Sequence, residues 1–267
     1  MKQRYVHGYS AKESSRLFDQ AVTLTELLHD GTYYPKGAKL LEAGCGVGAQ
    51  TIILSQNSSG AKITSIELSP ESLKKAEALA KKSKLKNVVF QQADIYNLPF
   101  KKASFDHIFV CFVLEHLKDP VAALSSLKKV LKPTGSITVI EGDHGSAYYH
   151  PRSSAAQKTI DCLIKIQSKL GGDALIGRRL YPLLKKAEFK NVRVIPRVVY
   201  ADSSLPGIVD GFTKKTFIAM VKGAKEQAIK LGLITKSDWQ RGLRALSKTA
   251  GKNGTFSYTF FKAIACK

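Results

Sequence analysis

The sequence predicts an α/β fold built on a mostly parallel sheet, and three observations predict it. From residue 38 onward, short apolar runs bounded by turns alternate with longer stretches of helical periodicity. One such run, Leu40-Leu41-Glu42-Ala43, ends in the glycine turn Gly44-Cys45-Gly46-Val47-Gly48 and leads straight into a helix. The length of 267 residues suits one large domain with insertions better than two full domains. Strands that alternate with helices are joined by crossovers, which cover a parallel sheet on both faces.

Taken in order, the first 30 residues read as a helix. Leu17, Phe18, Ala21, Val22, Leu24, Leu27 and Leu28 recur at helical spacing after Ser14-Ser15. Ahead of it, Tyr5-Val6-His7-Gly8-Tyr9-Ser10 places a glycine between two tyrosines, which suits a flap that closes over a ligand and touches it through Tyr9 or Tyr5. Strands are expected over 38–43, 62–67, 88–91 and 105–112, with helices over 49–56, 70–84 and 120–131. Ser69-Pro70-Glu71-Ser72 marks a helix start, with proline in the first turn. Lys132-Pro133-Thr134-Gly135 reads as a turn into a strand over 136–141. Beyond it, helices are expected over 153–170, 175–187, 212–231 and 237–249, and strands over 192–200 and 255–265.

The expected organisation is a single domain over 1–267. Residues 1–37 form the flap and first helix, and 38–145 the ligand-binding core. The stretches 146–172 and 203–252 are insertions that form a helical cap, and 173–202 with 253–267 complete the core.

Composition narrows the function classes. Hydrophobic residues make up 44% and charged residues 24%, as in ordinary globular proteins. No run approaches the roughly 18 apolar residues of a membrane span, and the start Met1-Lys2-Gln3-Arg4 has no apolar signal core. A cytoplasmic protein with no membrane span is the expectation. Cys45, Cys111, Cys162 and Cys266 are scattered without a C-x-x-C pair, which argues against a metal site or a disulfide framework. The net charge of +21 is spread over lysine pairs such as Lys74-Lys75, Lys128-Lys129 and Lys214-Lys215. No basic block with interleaved aromatics marks a nucleic-acid platform, so a nucleic-acid partner is not favoured.

The glycine turn alone leaves two cofactor classes open, because Gly44-Cys45-Gly46-Val47-Gly48-Ala49 also satisfies the dinucleotide fingerprint. Three features favour a cationic nucleoside over a dinucleotide. Glu42 precedes the first glycine by two residues, where a carboxylate suits a sulfonium and an amino group and repels a pyrophosphate. Glu67 ends the next strand about 20 residues after the loop, the place from which a carboxylate accepts from ribose hydroxyls. Asp94 follows the third strand and is placed to accept from an adenine amino group, with Ile95 against the ring.

The ordered set E-x-G-x-G-x-G, an acidic second-strand end, A-D-x-x-x-L-P-F, F-D-x-I-x-x-x-x-x-L-E-H-L-x-D-P and L-K-P-x-G resembles class I S-adenosylmethionine-dependent methyltransferases over residues 38–143. Within that group it is most similar to the ubiquinone/menaquinone-biosynthesis type and its small-molecule relatives. The resemblance implies a Rossmann-like seven-stranded sheet whose last strand is antiparallel. It implies S-adenosyl-L-methionine as cofactor, with Gly44, Gly46 and Gly48 cradling its amino-acid end, Glu67 on the ribose and Asp94 on the adenine. Cys45, Gln50, Leu68, Ile95, Phe112 and His116 line the same pocket by that resemblance. Thr134 departs from the second glycine that many relatives carry.

In-line methyl transfer rests largely on positioning, so no side chain is obligatory. Candidates for a base or an orienting group are His144, His116 and Glu141, which follow the fourth and fifth strands. Tyr148 and Tyr149 read as pocket walls. The expected reaction is methyl transfer to an oxygen, nitrogen or carbon of a small metabolite, by a monomer or homodimer. The alternatives are an RNA methyltransferase, a nicotinamide oxidoreductase and a catalytically silent cofactor binder.

Overall fold

The computed structural model describes residues 11–267. Tyr9 and the expected flap lie outside the described residues. In chain order the main elements are α1 (Ala11–Thr23), α2 (Thr25–His29), β1 (Lys39–Ala43), α3 (Ala49–Asn57), β2 (Lys62–Glu67), α4 (Pro70–Lys82), β3 (Val88–Gln92), β4 (Phe105–Cys111), α5 (Pro120–Val130), β5 (Leu131–Gly142), β6 (Tyr148–His150), α6 (Ser154–Lys169), α7 (Leu180–Lys186), β7 (Lys190–Ala201) and, last, β8 (Thr255–Cys266). Between β7 and β8 lie a π-helix, Val209–Ile218, and a helix, Lys236–Lys248.

The eight strands run in the order β3-β2-β1-β4-β5-β8-β6, with β7 also paired to β8. The pairs β1–β2, β1–β4, β2–β3 and β4–β5 are parallel, and β6–β8 is antiparallel. The mostly parallel α/β architecture expected from the sequence is therefore present, with one strand more than the seven implied by the resemblance. The extra strand is β6, where Tyr148 pairs with Ser257 and Tyr149 with Phe256.

The chain folds into two compact units. The first comprises Leu28–Glu141, Ile176–Pro196 and Phe261–Lys267; the second comprises Gly142–Leu175, Arg197–Phe260 and the described part of Met1–Leu27.

In the first unit, successive residues Leu40 and Leu41 of β1 are both fully buried, so the sheet is covered on both faces. On one face α5 and α7 pack Leu124, Leu127, Leu183 and Leu184 against Leu41, Ile108, Val110 and Val139. Helix α4 packs Leu73 and Ala76 against Cys45 and Phe90. Its start follows the sequence: the Ser69 side chain accepts from the Ser72 N–H with Pro70 at the first position, a cap that contributes about 1 kcal/mol. Asp119 and Pro120 begin α5 in the same way. The expected turn at 132–135 lies instead within β5. Phe105 pairs with Leu131 and His107 with Ser136, so the turn residues form an irregularity opposite a single intervening residue, Asp106. Cys45 and Cys111 are buried free thiols.

The second unit holds a cluster of aromatic side chains. Phe212, Phe217, Phe256, Tyr258 and Phe260 are all buried, with ring centroids 4.7–6.1 Å apart. Phe212 and Phe217 come from the π-helix, where the single α-helix expected over 212–231 is replaced by a wider coil; there the Thr216 hydroxyl donates to the Gly211 carbonyl, five residues back, at 2.8 Å. Gly242 lets the helix Lys236–Lys248 approach α6, since a Cβ there would collide with the Ala155 carbonyl. Among the described residues no helix is long and apolar enough to cross a membrane.

Candidate cofactor site

The strand order reverses at β1, whose neighbours are β2 on one side and β4 on the other. Open parallel sheets bind ligands outside the carboxyl ends of the strands at such a switch point. Parallel register brings those ends together: Ala43 lies beside Ile66 and Val110, Glu67 beside Gln92, and Cys111 beside Ile140. Glu42, the glycine loop, Glu67, Leu68, Asp94, Ile95, Phe112, His116 and Glu141 thus share one edge of the first unit.

The three glycines of the loop do different work. Gly44 packs against Val113, leaving no room for a Cβ. Gly48 has φ +85° and lies against α4, where a Cβ would come within 3.0 Å of the Ala76 Cα. Gly46, also left-handed, faces open space, with nothing within 4 Å of the Cβ position. The loop is pinned from β2: the Gly44 and Cys45 N–H groups both donate to the Ile66 carbonyl, at 2.8 and 2.9 Å. Helix α3 then begins at Gly48 with no side-chain cap, so its first amides are left for another acceptor.

Glu67 holds this geometry. One carboxylate oxygen accepts from the Gly46 N–H at 3.0 Å and the other from the Ser69 N–H at 2.9 Å. Glu42 is buried: its Oε2 accepts from the hydroxyls of Thr51 at 2.7 Å and Ser65 at 2.6 Å. Its Oε1 is buried with no hydrogen-bond partner among the described residues. Burial pushes the Glu42 carboxyl up to about 7, against the two hydroxyl hydrogen bonds and with the help of Glu67. Asp94 is exposed, and its carboxylate accepts from the Tyr96 N–H at 2.9 Å while a neighbouring turn closes on Asn97. Leu68 is exposed and Ile95 half-buried. Phe112 takes a left-handed backbone, φ 58°, just after β4.

The three candidate bases fare differently. Glu141 is fully buried and accepts from the N–H groups of Val113 at 3.0 Å and Leu114 at 2.7 Å, so it shapes the loop after β4. Burial, then the neighbouring Glu115, holds its carboxyl well above the usual range. His116 stands 3.6 Å from Glu115. His144 belongs to the second unit, where its Nδ1 lies 2.8 Å from the Tyr258 hydroxyl and its ring meets Phe217 edge-on at 6.3 Å. Tyr148 is exposed on β6, and Tyr149 stacks on Phe256 at 6.3 Å.

A family model described as a methyltransferase domain matches residues 35–188, more than half of the chain. The chain belongs to the methyltransferase-domain family. The resemblance carried by the motifs of 38–143 therefore holds, and those motifs fall inside the matched span. An uncharacterized methyltransferase of Schizosaccharomyces pombe is 35% identical over 157 residues, 55% of each chain. A demethylmenaquinone methyltransferase of Lactococcus lactis is 33% identical over 109 residues, 40% of this chain and 43% of the relative. The chain spans about half the length of these relatives or less. A Haemonchus contortus phosphoethanolamine N-methyltransferase, solved with S-adenosyl-L-methionine, superposes with TM-score 0.56 at 16% identity, over 93% of this chain and 52% of that one. It shares the fold.

Two residues of this methyltransferase-domain protein escaped the sequence reading. His29 closes α2 and brings its Nε2 to 2.6 Å from the Gln50 Oε1. Lys262, buried in β8, donates to the carbonyls of Leu28 at 3.3 Å and Asp30 at 2.6 Å and to the Thr32 hydroxyl at 2.5 Å. A lysine in a strand of alternating apolar residues was the available signal for the second. His29 offered none, because its partner is 21 residues away.

Proposed function

We propose that the protein transfers the methyl group of S-adenosyl-L-methionine to an oxygen, nitrogen or carbon atom of a small metabolite. The observation that carries this reading is electrostatic. In a chain of net charge +21, the ligand edge of the sheet gathers four acidic groups, Glu42, Glu67, Glu115 and Glu141, and burial with mutual repulsion raises Glu42 and Glu141 so that a bound cation is needed to favour their ionised forms. Carboxylates around an open glycine turn suit a ligand bearing a sulfonium and an ammonium. The open face of Gly46, the uncapped start of α3 and the buried Oε1 of Glu42, without a partner among the described residues, fit that group.

When bound, the cofactor supplies an electrophilic methyl group. The chain's residues bind and aim it. Gly46 admits the amino-acid end against bare backbone, Glu67 accepts from the ribose hydroxyls, Asp94 accepts from the adenine amino group, and Leu68 and Ile95 flank the ring. Phe112 and His116 line the pocket after β4. Glu42 faces the ammonium, which keeps its charge throughout the reaction. A carboxylate there binds ground and transition states alike and leaves the barrier unchanged. The carboxylates of this edge would hold a sulfonium more firmly than a neutral thioether.

The stretches 146–172 and 203–252, expected as a cap, select the acceptor in this reading. His144, whose Nδ1 lies 2.8 Å from the Tyr258 hydroxyl, is the second unit's candidate to orient an acceptor or to take its proton. Glu141 is withdrawn from that role by the amides it caps.

Calorimetric titration with S-adenosylmethionine and S-adenosylhomocysteine tests the reading on the wild type, Glu67→Ala and Asp94→Ala. Micromolar binding, weakened at least tenfold by either substitution, is expected. A wild type that binds neither nucleoside overturns it.

A further inference from the structure

We propose that His29 is a positioning residue that turns the Gln50 side chain so that its amide N–H groups meet the carboxylate of the bound nucleoside's amino-acid end. The inference rests on the cofactor reading above and adds a residue far from every motif that led to it.

Gln50 is the second residue of α3, directly after the glycine turn, at a helix start that has no side-chain cap. Its Oε1 is engaged by His29 Nε2 at 2.6 Å. Among the described residues its amide nitrogen makes no hydrogen bond. A glutamine amide has two chemically opposite ends, and which of them faces a ligand decides whether an anion is attracted or repelled. With the imidazole N–H donating to the oxygen, the NH2 end is the one left over. It then adds two donors to the free backbone amides of the α3 first turn, where the helix field already favours negative charge.

His29 is itself over-determined, as a positioning group must be. It is buried and stacked on Phe109 of β4, with centroids 5.5 Å apart and planes 28° from parallel. Burial holds its pKa below the usual histidine value and so favours the neutral ring, which has a single N–H to give. The turn after it is closed by the Thr32 N–H donating to the His29 carbonyl at 2.7 Å. Lys262 clamps the same turn from β8 through Leu28, Asp30 and Thr32. A chain of fixed contacts therefore runs from β8, through the 28–32 turn, to the amide beside the glycine loop.

The test compares two ligands that differ at one end. S-adenosylhomocysteine carries the amino-acid carboxylate, and 5′-methylthioadenosine lacks it. Both are titrated into the wild type, Gln50→Ala, His29→Phe and the double variant; phenylalanine keeps the stack on Phe109, and Gln50 is only half-buried. The expected result is about a tenfold loss of S-adenosylhomocysteine affinity in each single variant, with 5′-methylthioadenosine affinity unchanged within about twofold. The double variant is expected to bind no worse than Gln50→Ala, because the two residues act as one unit. Equal losses for both ligands would mean that His29 only supports the fold, and no loss for either would mean that Gln50 does not meet the carboxylate. Each result overturns the proposal while leaving the wild-type titration, and with it the cofactor reading, intact.

Discussion

Replacing Glu42 with glutamine should stabilise the protein, by an amount that grows as pH rises from about 4.5 and is complete above about 7. The carboxyl is buried and titrates at about 7 instead of 4.5. In the unfolded chain it loses its proton near 4.5; in the folded chain it keeps it until about 7. Between those values the folded state binds the extra proton, so stability falls as pH rises through the window. The shift of roughly 2.5 units, at 1.36 kcal/mol per unit, sets the full cost of ionising Glu42 at about 3 kcal/mol, reached above pH 7 and absent below pH 4.5. Glutamine is nearly isosteric and still offers an oxygen to the Thr51 and Ser65 hydroxyls. The measurement is urea denaturation of both proteins at pH 5 and pH 8. Near-equal stability at pH 5 and a variant more stable by up to about 3 kcal/mol at pH 8 are expected. A variant less stable at pH 8, or a difference that does not change with pH, would refute the argument. Saturating S-adenosylmethionine should shrink the difference at pH 8, because a cation beside the carboxylate favours its ionised form.

Three further outcomes follow from particular contacts. Lys262→Met removes three donated hydrogen bonds and strands the buried Leu28 carbonyl and Thr32 hydroxyl; a loss of about 3 kcal/mol is expected in denaturant melts, and wild-type stability would show that the 28–32 turn is held by other means. Gly48→Ala should cost the fold more than Gly46→Ala, since only the first meets a neighbouring backbone; Gly46→Ala should cost about 1 kcal/mol of strain and at least tenfold in cofactor affinity, and intact affinity would remove the loop from the pocket. Thr213→Val should leave stability unchanged or raise it by up to about 1 kcal/mol, because the buried Thr213 hydroxyl has no partner among the described residues; a clear loss of stability in melts would reveal one.

What the sequence made legible is what repeats locally. The glycine turn, the acidic strand ends and the Ser69-Pro70 helix start all act over a few residues, and the structure places them as read. What it hid depends on partners distant along the chain. Glu42 was read as a bare carboxylate beside the loop, but Thr51 and Ser65 share it, and neither hydroxyl announces that from its position in the sequence. Glu141 looked like a base after β5 because the amides it caps belong to the loop after β4. The short strand Tyr148–His150 exists because Thr255–Ser257 pairs with it, so two tyrosines that read as pocket walls are partly sheet. Helical spacing over 212–231 could not distinguish the α from the π register, because apolar residues four or five apart serve either coil.

The contrast between a basic surface and an acidic ligand edge bears on how a cofactor arrives. S-adenosylmethionine carries one net positive charge and S-adenosylhomocysteine none, so only the first is repelled at long range by a body of net charge +21. At about 0.01 M ionic strength that repulsion reaches ~30 Å, whereas at 0.15 M it is confined to ~8 Å, a range over which the carboxylates at the strand ends still act. Added salt should therefore speed the encounter with S-adenosylmethionine while leaving that with S-adenosylhomocysteine nearly unchanged, so that reactant competes better against spent product in saline than in dilute buffer.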